Sequence, residues 1–255
     1  MKNETHQEKI LDQFTRQAAK FQASHLSAEA ALRLAVEFCE TSADDTVLDV
    51  ACGPGVLACA FAETTAHVTG IDITPTMIER AKSLQAEKKL NNISWKTGDV
   101  TRLPFADGEF SLVVSRYAIH HFENPVVVVS EMARVCRSGG RVALIDSAPA
   151  ADKAAAFNAA ERMRDPSHTR ALTAEDLHEL ARDAGLHVAR SRLYPWESAV
   201  QALLDRSFPA PGDVPRLWNL FEGDVGIDRL GMSCRRIDGE LHVTFPTLIL
   251  VADKK

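Results

Sequence analysis

The chain has 255 residues, 45% of them hydrophobic, with a formal net charge of −6 and a pI of about 5.9. This length predicts one α/β domain with a large core, and the acidic balance argues against a nucleic-acid partner, which would require basic patches. No apolar run reaches the roughly 18 residues of a membrane span, and five cysteines at scattered spacings favour reduced thiols in the cytoplasm.

Two helices are predicted before the first strand. Residues 7–23 carry one apolar stripe at helical spacing, formed by Ile10, Phe14, Ala18 and Phe21. Ser27 is a candidate cap for a second helix that runs to Glu40. The first helix could pack on the domain or act as a lid over a ligand, and one helix can do both.

The rest of the chain is organised around residues 46–55. Residues 46–50 are apolar and β-branched without a helical period, which predicts a buried parallel strand. A turn with Gly53 and Gly55 follows, where the backbone can approach a ligand closely, and then a helix. Asp49 lies in the apolar strand, where a bare carboxylate is costly. We therefore expect it to be hydrogen-bonded to the loop or, through water, to a cationic ligand.

Two further aspartates follow predicted strands. Asp72 ends the second strand, 17 residues after Gly55, at the position where nucleotide-binding sheets read a ribose diol. Asp99 follows a third strand and could accept a hydrogen bond from the exocyclic amine of adenine. Because parallel strands end at one edge of a sheet, Asp49, Asp72 and Asp99 should lie close together. Three carboxylates suit a positively charged adenosine better than a pyrophosphate, which they would repel.

Five ordered motifs give the chain a family resemblance. They are residues 48–55, Gly70-Ile71-Asp72, Gly98-Asp99, Leu103-Pro104-Phe105, and residues 131–135 with Gly139-Gly140. Over residues 45–150 the chain resembles class I S-adenosylmethionine-dependent methyltransferases, and it is similar to the small-molecule enzymes of ubiquinone and menaquinone biosynthesis. Ala51 stands where the turn of the family has its first glycine, which is a mild departure.

The resemblance implies a fold and a cofactor. The fold is an α/β, Rossmann-like, seven-stranded, mostly parallel sheet with helices on both faces and a final antiparallel strand. The cofactor is S-adenosyl-L-methionine, with its amino-acid end, ribose and adenine bound by Asp49, Asp72 and Asp99. Neighbouring positions on the same turns and strand ends complete the predicted cofactor site: Ala51, Gly53, Gly55, Ile73, Met77, Val100 and Ser115.

The end of the fourth strand, 110–115, is expected to face the reactive end of the cofactor. His121 or His120 is the predicted base, because a pocket histidine titrates near working pH and can take a proton from a hydroxyl, an amine or an activated carbon. Two adjacent histidines cannot both point inward on a regular backbone, so one is expected to be structural. Arg116 could bind a carboxylate or form a structural salt bridge, and Tyr117 is a predicted substrate contact. No metal site is predicted, because no third ligand has a suitable spacing.

The region after the fifth strand is predicted to bind substrate. Asp146 ends that strand and could orient a pocket histidine, contact a substrate amine or cap the next helix. The stretch Arg164-Asp165-Pro166-Ser167-His168 is similar to one found in bacterial enzymes of this class, and Arg164 and His168 are the predicted substrate contacts. A charged turn with internal salt bridges is the alternative.

The C-terminal part is predicted to complete one domain, 1–255. Thr173 and Asp176 approximate a capping box, residues 186–194 form a sixth strand, 196–221 are helical in parts, and 240–251 form the final strand. The domain divides into an N-terminal helical lid, 1–44, a cofactor-binding core, 45–150, a substrate-side cap with the last crossover, 151–237, and the final strand, 238–255.

The predicted function is methyl transfer from S-adenosylmethionine to a small-molecule acceptor. The protein is expected to be a cytoplasmic monomer or homodimer with no nucleic-acid partner and no membrane span. Residues 53–58 also fit the G-x-G-x-x-A turn of NAD(P)-dependent oxidoreductases, but no Tyr-x-x-x-Lys pair follows downstream. A non-catalytic S-adenosylmethionine-binding protein of the same fold is the other alternative.

Overall fold

The computed structural model describes residues 5–20 and 26–255, and within these ranges eight strands form one mixed sheet. The strands are β1 Thr46–Val50, β2 His67–Asp72, β3 Ile93–Thr97, β4 Phe110–Arg116, β5 Cys136–Ser147, β6 His187–Ala199, β7 Arg235–Ile237 and β8 Glu240–Asp253. Their order is β3-β2-β1-β4-β5-β8-β6, and β7 pairs with β8 outside this path.

The strand directions confirm the predicted fold class. β1 to β5 are parallel, whereas β8 is antiparallel to β5 and β6, its two neighbours on the main path. Seven strands lie on the main path, as predicted, and the short β7 adds an eighth. Asp238 and Gly239 both have positive φ, 50° and 88°, which allows the two-residue turn that folds β7 back on β8.

Helices cover both faces of the sheet. The helices of the described ranges are α1 His6–Lys20, α2 Leu26–Phe38, α3 Val56–Ala62, α4 Pro75–Glu87, α5 Pro125–Val135, α6 Ala154–Arg164, α7 Ala174–Asp183, α8 Val200–Asp205 and α9 Asp213–Glu222. Successive strand residues point to opposite faces, so Leu48 joins the core beneath α5 and α7 whereas Val47 joins the core beneath α2 and α3. None of the helices in the described ranges has both the length and the apolar character of a membrane span.

A third, smaller core supports the cap between β5 and β8. It joins Phe157 of α6 and Phe221 of α9 to Val243 and Phe245 at the start of β8, all of them buried. The C-terminal half of β8 instead belongs to the two main cores. The cap therefore rests on an extension of the sheet rather than on a separate one, which holds it close to the carboxyl ends of the parallel strands.

Several element boundaries differ from the prediction. The prediction for Trp196 is wrong, because β6 continues to Ala199 and pairs residue by residue with the long β8. Ser27 lies inside α2 and is not its cap, since Leu26 is already helical. The stripe residue Phe21 lies outside the described residues.

Candidate active site

A cavity of about 1330 Å³ lies at the carboxyl edge of the parallel strands. Ligands bind at this edge in open α/β sheets, because loops from several strand ends converge there. The segments that follow β1, β2, β3 and β4 contribute to the lining, and so do residues of α1, α2, α6 and α8 and of the strands β5, β6 and β8. Because α1 lines this cavity, its position suits a lid, and the lid remains a prediction.

The three predicted aspartates all line this cavity. Asp72 is buried, and its carboxylate accepts hydrogen bonds from the backbone N–H of Gly53 and of Thr74, both at 2.8 Å. Asp72 thereby ties the glycine turn after β1 to the start of α4. Burial raises the pKa of Asp72, although the two backbone donors oppose this shift. Asp99 is exposed, and it accepts from the backbone N–H and the hydroxyl of Thr101, both at 2.8 Å.

Asp49 holds an unsatisfied carboxylate oxygen. Its side chain is 1% exposed, and Oδ2 has no hydrogen-bond partner among the described residues. Burial raises the pKa of Asp49 to about 7, and the positive charge of Arg116 opposes this rise. A buried carboxylate without a donor is costly, so this oxygen provides a site for a cationic donor.

The glycine turn brings backbone to the cavity wall. Gly53 has φ of 51° and lines the cavity, and a Cβ added there would meet nothing within 4 Å. Gly55, predicted to line the site, lies behind the wall instead. Its φ is 78°, and a Cβ there would lie 2.5 Å from the indole of Trp95, so this glycine is required for packing. The other predicted residues of the near wall that line the cavity are Ala51, Ile73, Met77 and Val100.

We predict that Asp49→Asn stabilises the unliganded protein and weakens S-adenosylmethionine binding. Because the pKa of Asp49 is raised, the wild-type protein loses folding stability as pH rises from about 4 through about 7. The Asp49→Asn variant has no carboxylate to ionise and does not lose stability in this way. At pH 8 the gain should be on the order of 4 kcal/mol, which corresponds to an increase of several degrees in Tm.

Thermal denaturation of wild type and Asp49→Asn at pH 5 and pH 8 checks this. The difference in Tm should be larger at pH 8, and the shift induced by S-adenosylmethionine should shrink in the variant. The exposed Asp44 supplies the control, Asp44→Asn, which should behave as wild type. A lower Tm for Asp49→Asn at pH 8 would contradict the prediction.

The two histidines after β4 both reach the cavity, which corrects the expectation that only one points inward. They lie in a 3-10 turn, Ile119–His121, and Tyr117 just before it has a positive φ of 54°. The chain is therefore not regular here, and the two rings lie 4.2 Å apart between centroids. Both side chains are buried.

His120 is paired with Asp146. Its Nδ1–H donates to Asp146 Oδ1 at 2.5 Å, and its backbone N–H donates to Oδ2 at 3.3 Å. Burial disfavours the charged ring, but the Asp146 carboxylate outweighs this effect and raises the pKa of His120. Asp146 does not line the cavity. Its geometry fits the orienting role, one of the three alternatives that the sequence left open.

His121 is held in one tautomer. Its Nδ1 lies 3.1 Å from both the carbonyl oxygen and the Oγ of Ser167. The Ser167 hydroxyl already donates to Asp165 Oδ1 at 2.5 Å, so it can only accept from His121. Nδ1 of His121 must therefore carry the proton, which leaves a lone pair on Nε2. Burial, reinforced by the neighbouring His120, lowers the pKa of His121 to about 4, so the ring is neutral at pH 7.

Arg116 ends β4, Tyr117 follows it, and both residues line the cavity. The Arg116 guanidinium lies 4.6 Å from the centroid of the Tyr117 ring, and its buried Nε has no hydrogen-bond partner in the described part of the chain. The Tyr117 hydroxyl is engaged by Thr247 at 3.0 Å and Tyr194 at 3.2 Å. Tyr117 therefore offers its ring, rather than its hydroxyl, to the cavity.

The remaining predicted substrate residues differ in position. Arg164 lines the cavity, and it forms a two-pronged ion pair with Glu161 at 2.8 and 2.7 Å, as in the salt-bridge alternative. His168 does not reach the lining. It is buried behind His120 and hydrogen-bonds Asn158 at 2.7 Å, which leaves no route to substrate. Ser115 is also buried behind the wall, where its hydroxyl donates to the Val50 carbonyl at 3.0 Å.

Four side chains at the site received no role from the sequence. Asp165 and Ser167 lie in the Arg-Asp-Pro-Ser-His stretch, and that stretch is the sequence feature that could have indicated their role at the site. His6 of α1 donates from Nε2 to the His121 carbonyl at 2.6 Å, and Arg206 after α8 lines the cavity. Nothing in the local sequence marks these last two, because their contacts are long-range.

Comparisons with known proteins agree with this geometry. Residues 48–144 match a methyltransferase domain family. The chain is 36% identical over 160 residues to an uncharacterized methyltransferase, YcgJ, of Bacillus subtilis, an alignment that covers 62% of this chain and 63% of that protein. It is 37% identical over 113 residues to the ubiquinone/menaquinone biosynthesis C-methyltransferase UbiE of Bdellovibrio bacteriovorus, covering 44% and 48%. The alignments thus span less than two thirds of these relatives.

A solved structure extends the likeness to most of the chain. The crystal structure of a putative methyltransferase from Bacillus halodurans superposes with a TM-score of 0.79 at 25% identity. The superposition covers 88% of this chain and 99% of that one. The shared fold therefore extends well beyond residues 48–144, the range of the family match.

The residues present fit S-adenosylmethionine. Asp49 Oδ2 lacks a donor and Arg116 Nε lacks an acceptor within the described ranges, which suits the ammonium and the carboxylate of an amino acid. Asp72 and the exposed Asp99 supply acceptors for a ribose and an adenine amine. Residues 48–144 thus match the methyltransferase domain family, and the fold and this donor set agree with that match.

Proposed function

We propose that the protein transfers the methyl group of S-adenosylmethionine to a small-molecule acceptor, with His121 as the base. The observation that carries this proposal is that one cavity is lined both by the three aspartates and by the His120–His121 pair. Asp49, Asp72 and Asp99 would hold the cofactor together with Ala51, Gly53, Ile73, Met77 and Val100. The volume of about 1330 Å³ leaves room for a second small molecule beside a nucleoside.

The histidine pair supports acid–base chemistry on the acceptor. The Asp146 carboxylate raises the pKa of His120, whereas His121 is neutral with its lone pair on Nε2. Adjacent groups whose environments push their pKa values apart can serve as donor and acceptor. His121 would take the proton of a hydroxyl or an acidic carbon, while His120 would donate a hydrogen bond to the oxygen on which charge develops.

The chain contributes positioning and exclusion of water. When bound, the cofactor supplies an already activated methyl group as a sulfonium. Phe14 of α1 packs against the His121 ring at 5.0 Å, and His6 of the same helix hydrogen-bonds the His121 backbone. α1 would therefore close the cavity over the histidines and keep water from the reacting groups.

The experiment combines binding and turnover. Purified protein should bind S-adenosylmethionine in a calorimeter and release S-adenosylhomocysteine with at least one member of a panel of phenols, hydroxy acids and β-dicarbonyls. Binding without product across the panel would favour a non-catalytic binding protein. Quenching of NADH fluorescence without S-adenosylmethionine binding would favour the oxidoreductase. The cytoplasmic location and the monomeric or homodimeric state stay predictions.

A further inference from the structure

One arginine on the cavity wall has no acidic partner. Arg206 follows α8, is half-buried and lines the cavity. Its guanidinium lies 5.0 Å from the centroid of the Trp196 ring, and Nη2 donates to Ser198 Oγ at 3.3 Å. Among the described residues, no aspartate or glutamate forms an ion pair with it, which leaves most of its five N–H donors available.

The neighbouring charges do not compensate Arg206. Glu161 of α6 is a buried carboxylate of the cavity lining, and both of its oxygens are already bound to Arg164. Burial, followed by repulsion from Arg164, lowers the pKa of Arg206 to about 10, so the group stays charged at neutral pH. Lys20 of α1 adds a second cation, and it donates to the Asp205 carbonyl at 3.0 Å. The Arg206 guanidinium therefore keeps its positive charge without an ion-pair partner among the described residues.

Aromatic rings lie next to the free guanidinium. Trp196 is 5.3 Å from Phe245 and 6.5 Å from Tyr117 between ring centroids, and all three residues line the cavity. The Arg206 wall, defined as Trp196, Arg206 and Phe245, thus combines apolar ring surface with a fork of N–H donors. Arginine suits planar, two-pronged binding of a carboxylate or phosphate while it stacks on an aromatic ring.

We propose that the methyl acceptor is an anion, a small molecule whose carboxylate or phosphate is bound by Arg206 while its apolar body packs on Trp196. This inference rests on the proposed function, because it assigns the acceptor to the Arg206 wall. The guanidinium and the histidine pair would then hold the acceptor at two separate points, which fixes its orientation toward the base.

Ligand-detected NMR on protein loaded with S-adenosylhomocysteine tests this. The probes are aromatic and alkyl carboxylates, the matching phosphate monoesters and the uncharged primary amides of the same bodies. At least one acid should bind roughly 10- to 100-fold more tightly than its amide, as expected for a charged hydrogen-bonded pair. Preference between carboxylate and phosphate identifies the source of the anion.

Matched variants locate the anion. Arg206→Gln should reduce binding of the preferred acid to the level of its amide, whereas Arg206→Lys should retain part of it. Arg192 is exposed on β6, outside the cavity lining, so Arg192→Gln makes the same charge change and should leave binding unaltered. Equal binding of all acids and amides to the wild type would overturn the proposal, and so would full acid binding by folded Arg206→Gln. Failure of the proposed function would appear separately, as absent S-adenosylmethionine binding by the wild type.

Discussion

Replacing Asp72 with alanine is expected to weaken S-adenosylmethionine binding by at least about 100-fold, since each hydrogen bond to a charged group contributes roughly 1.5–3 kcal/mol. The Asp72 carboxylate holds the backbone N–H groups of Gly53 and Thr74, so it fixes the shape of the glycine turn. It also lines the cavity where the ribose is proposed to bind. Its removal therefore affects both the wall and a direct contact.

Calorimetric titration of wild type and variants measures this effect. Asp72→Asn keeps one acceptor oxygen but removes the charge, so it separates the effect of the charge from the effect of the turn's shape. Its affinity for S-adenosylmethionine should be about 10-fold lower than that of the wild type. Asp44→Ala, at an exposed aspartate before β1, is the control and should bind as wild type does. Unchanged affinity in Asp72→Ala would remove the basis of the cofactor assignment, provided that the variant melts cooperatively.

The placement of Asp72 could be predicted from sequence because it follows from strand geometry. β1, β2 and β3 are parallel and adjacent, so the residues at their carboxyl ends must meet at one edge. A short apolar run and the residue that follows it are sufficient for that inference. The same reasoning located Asp99, and it required no knowledge of any side-chain contact.

The outer wall of the cavity could not be predicted in this way. His6 reaches the carbonyl of His121, which is 115 positions away, and Gln17 reaches Asp165, which is 148 positions away. Such contacts depend on how α1 and the cap dock on the sheet, and no local pattern encodes them. The extension of β6 is similar, since its pairing with β8 decides the conformation of Trp196 against the local helical pattern.

The arrangement of the histidine pair could not be predicted from sequence either, and here a single turn is responsible. A regular backbone would place one ring outward. The left-handed φ of Tyr117 and the 3-10 turn instead place both rings at the cavity, where Asp146 raises the pKa of His120 and burial lowers that of His121. The sequence contained all of these residues, but only their distances distinguish the donor from the acceptor.

His121→Asn should reduce kcat by roughly 10²- to 10⁴-fold while S-adenosylmethionine affinity changes little, because general acid–base catalysis contributes about this much. The asparagine amide can still donate toward Ser167, so the local fold is retained and only the Nε2 lone pair is lost. His187→Asn, at an exposed histidine at the start of β6, is the control. Calorimetry and S-adenosylhomocysteine release separate binding from turnover.

Two further readouts distinguish a base from a structural histidine. The pKa of His121 is lowered to about 4, so its contribution to the rate should persist on acidification and be lost only as pH falls through about 4. The ¹⁵N chemical shifts of the ring should show a protonated Nδ1 and an unprotonated Nε2 at pH 7, which needs no acceptor. If His121→Asn loses cofactor binding and turnover together, the histidine supports the architecture of the cavity, and the base must be sought elsewhere on its wall.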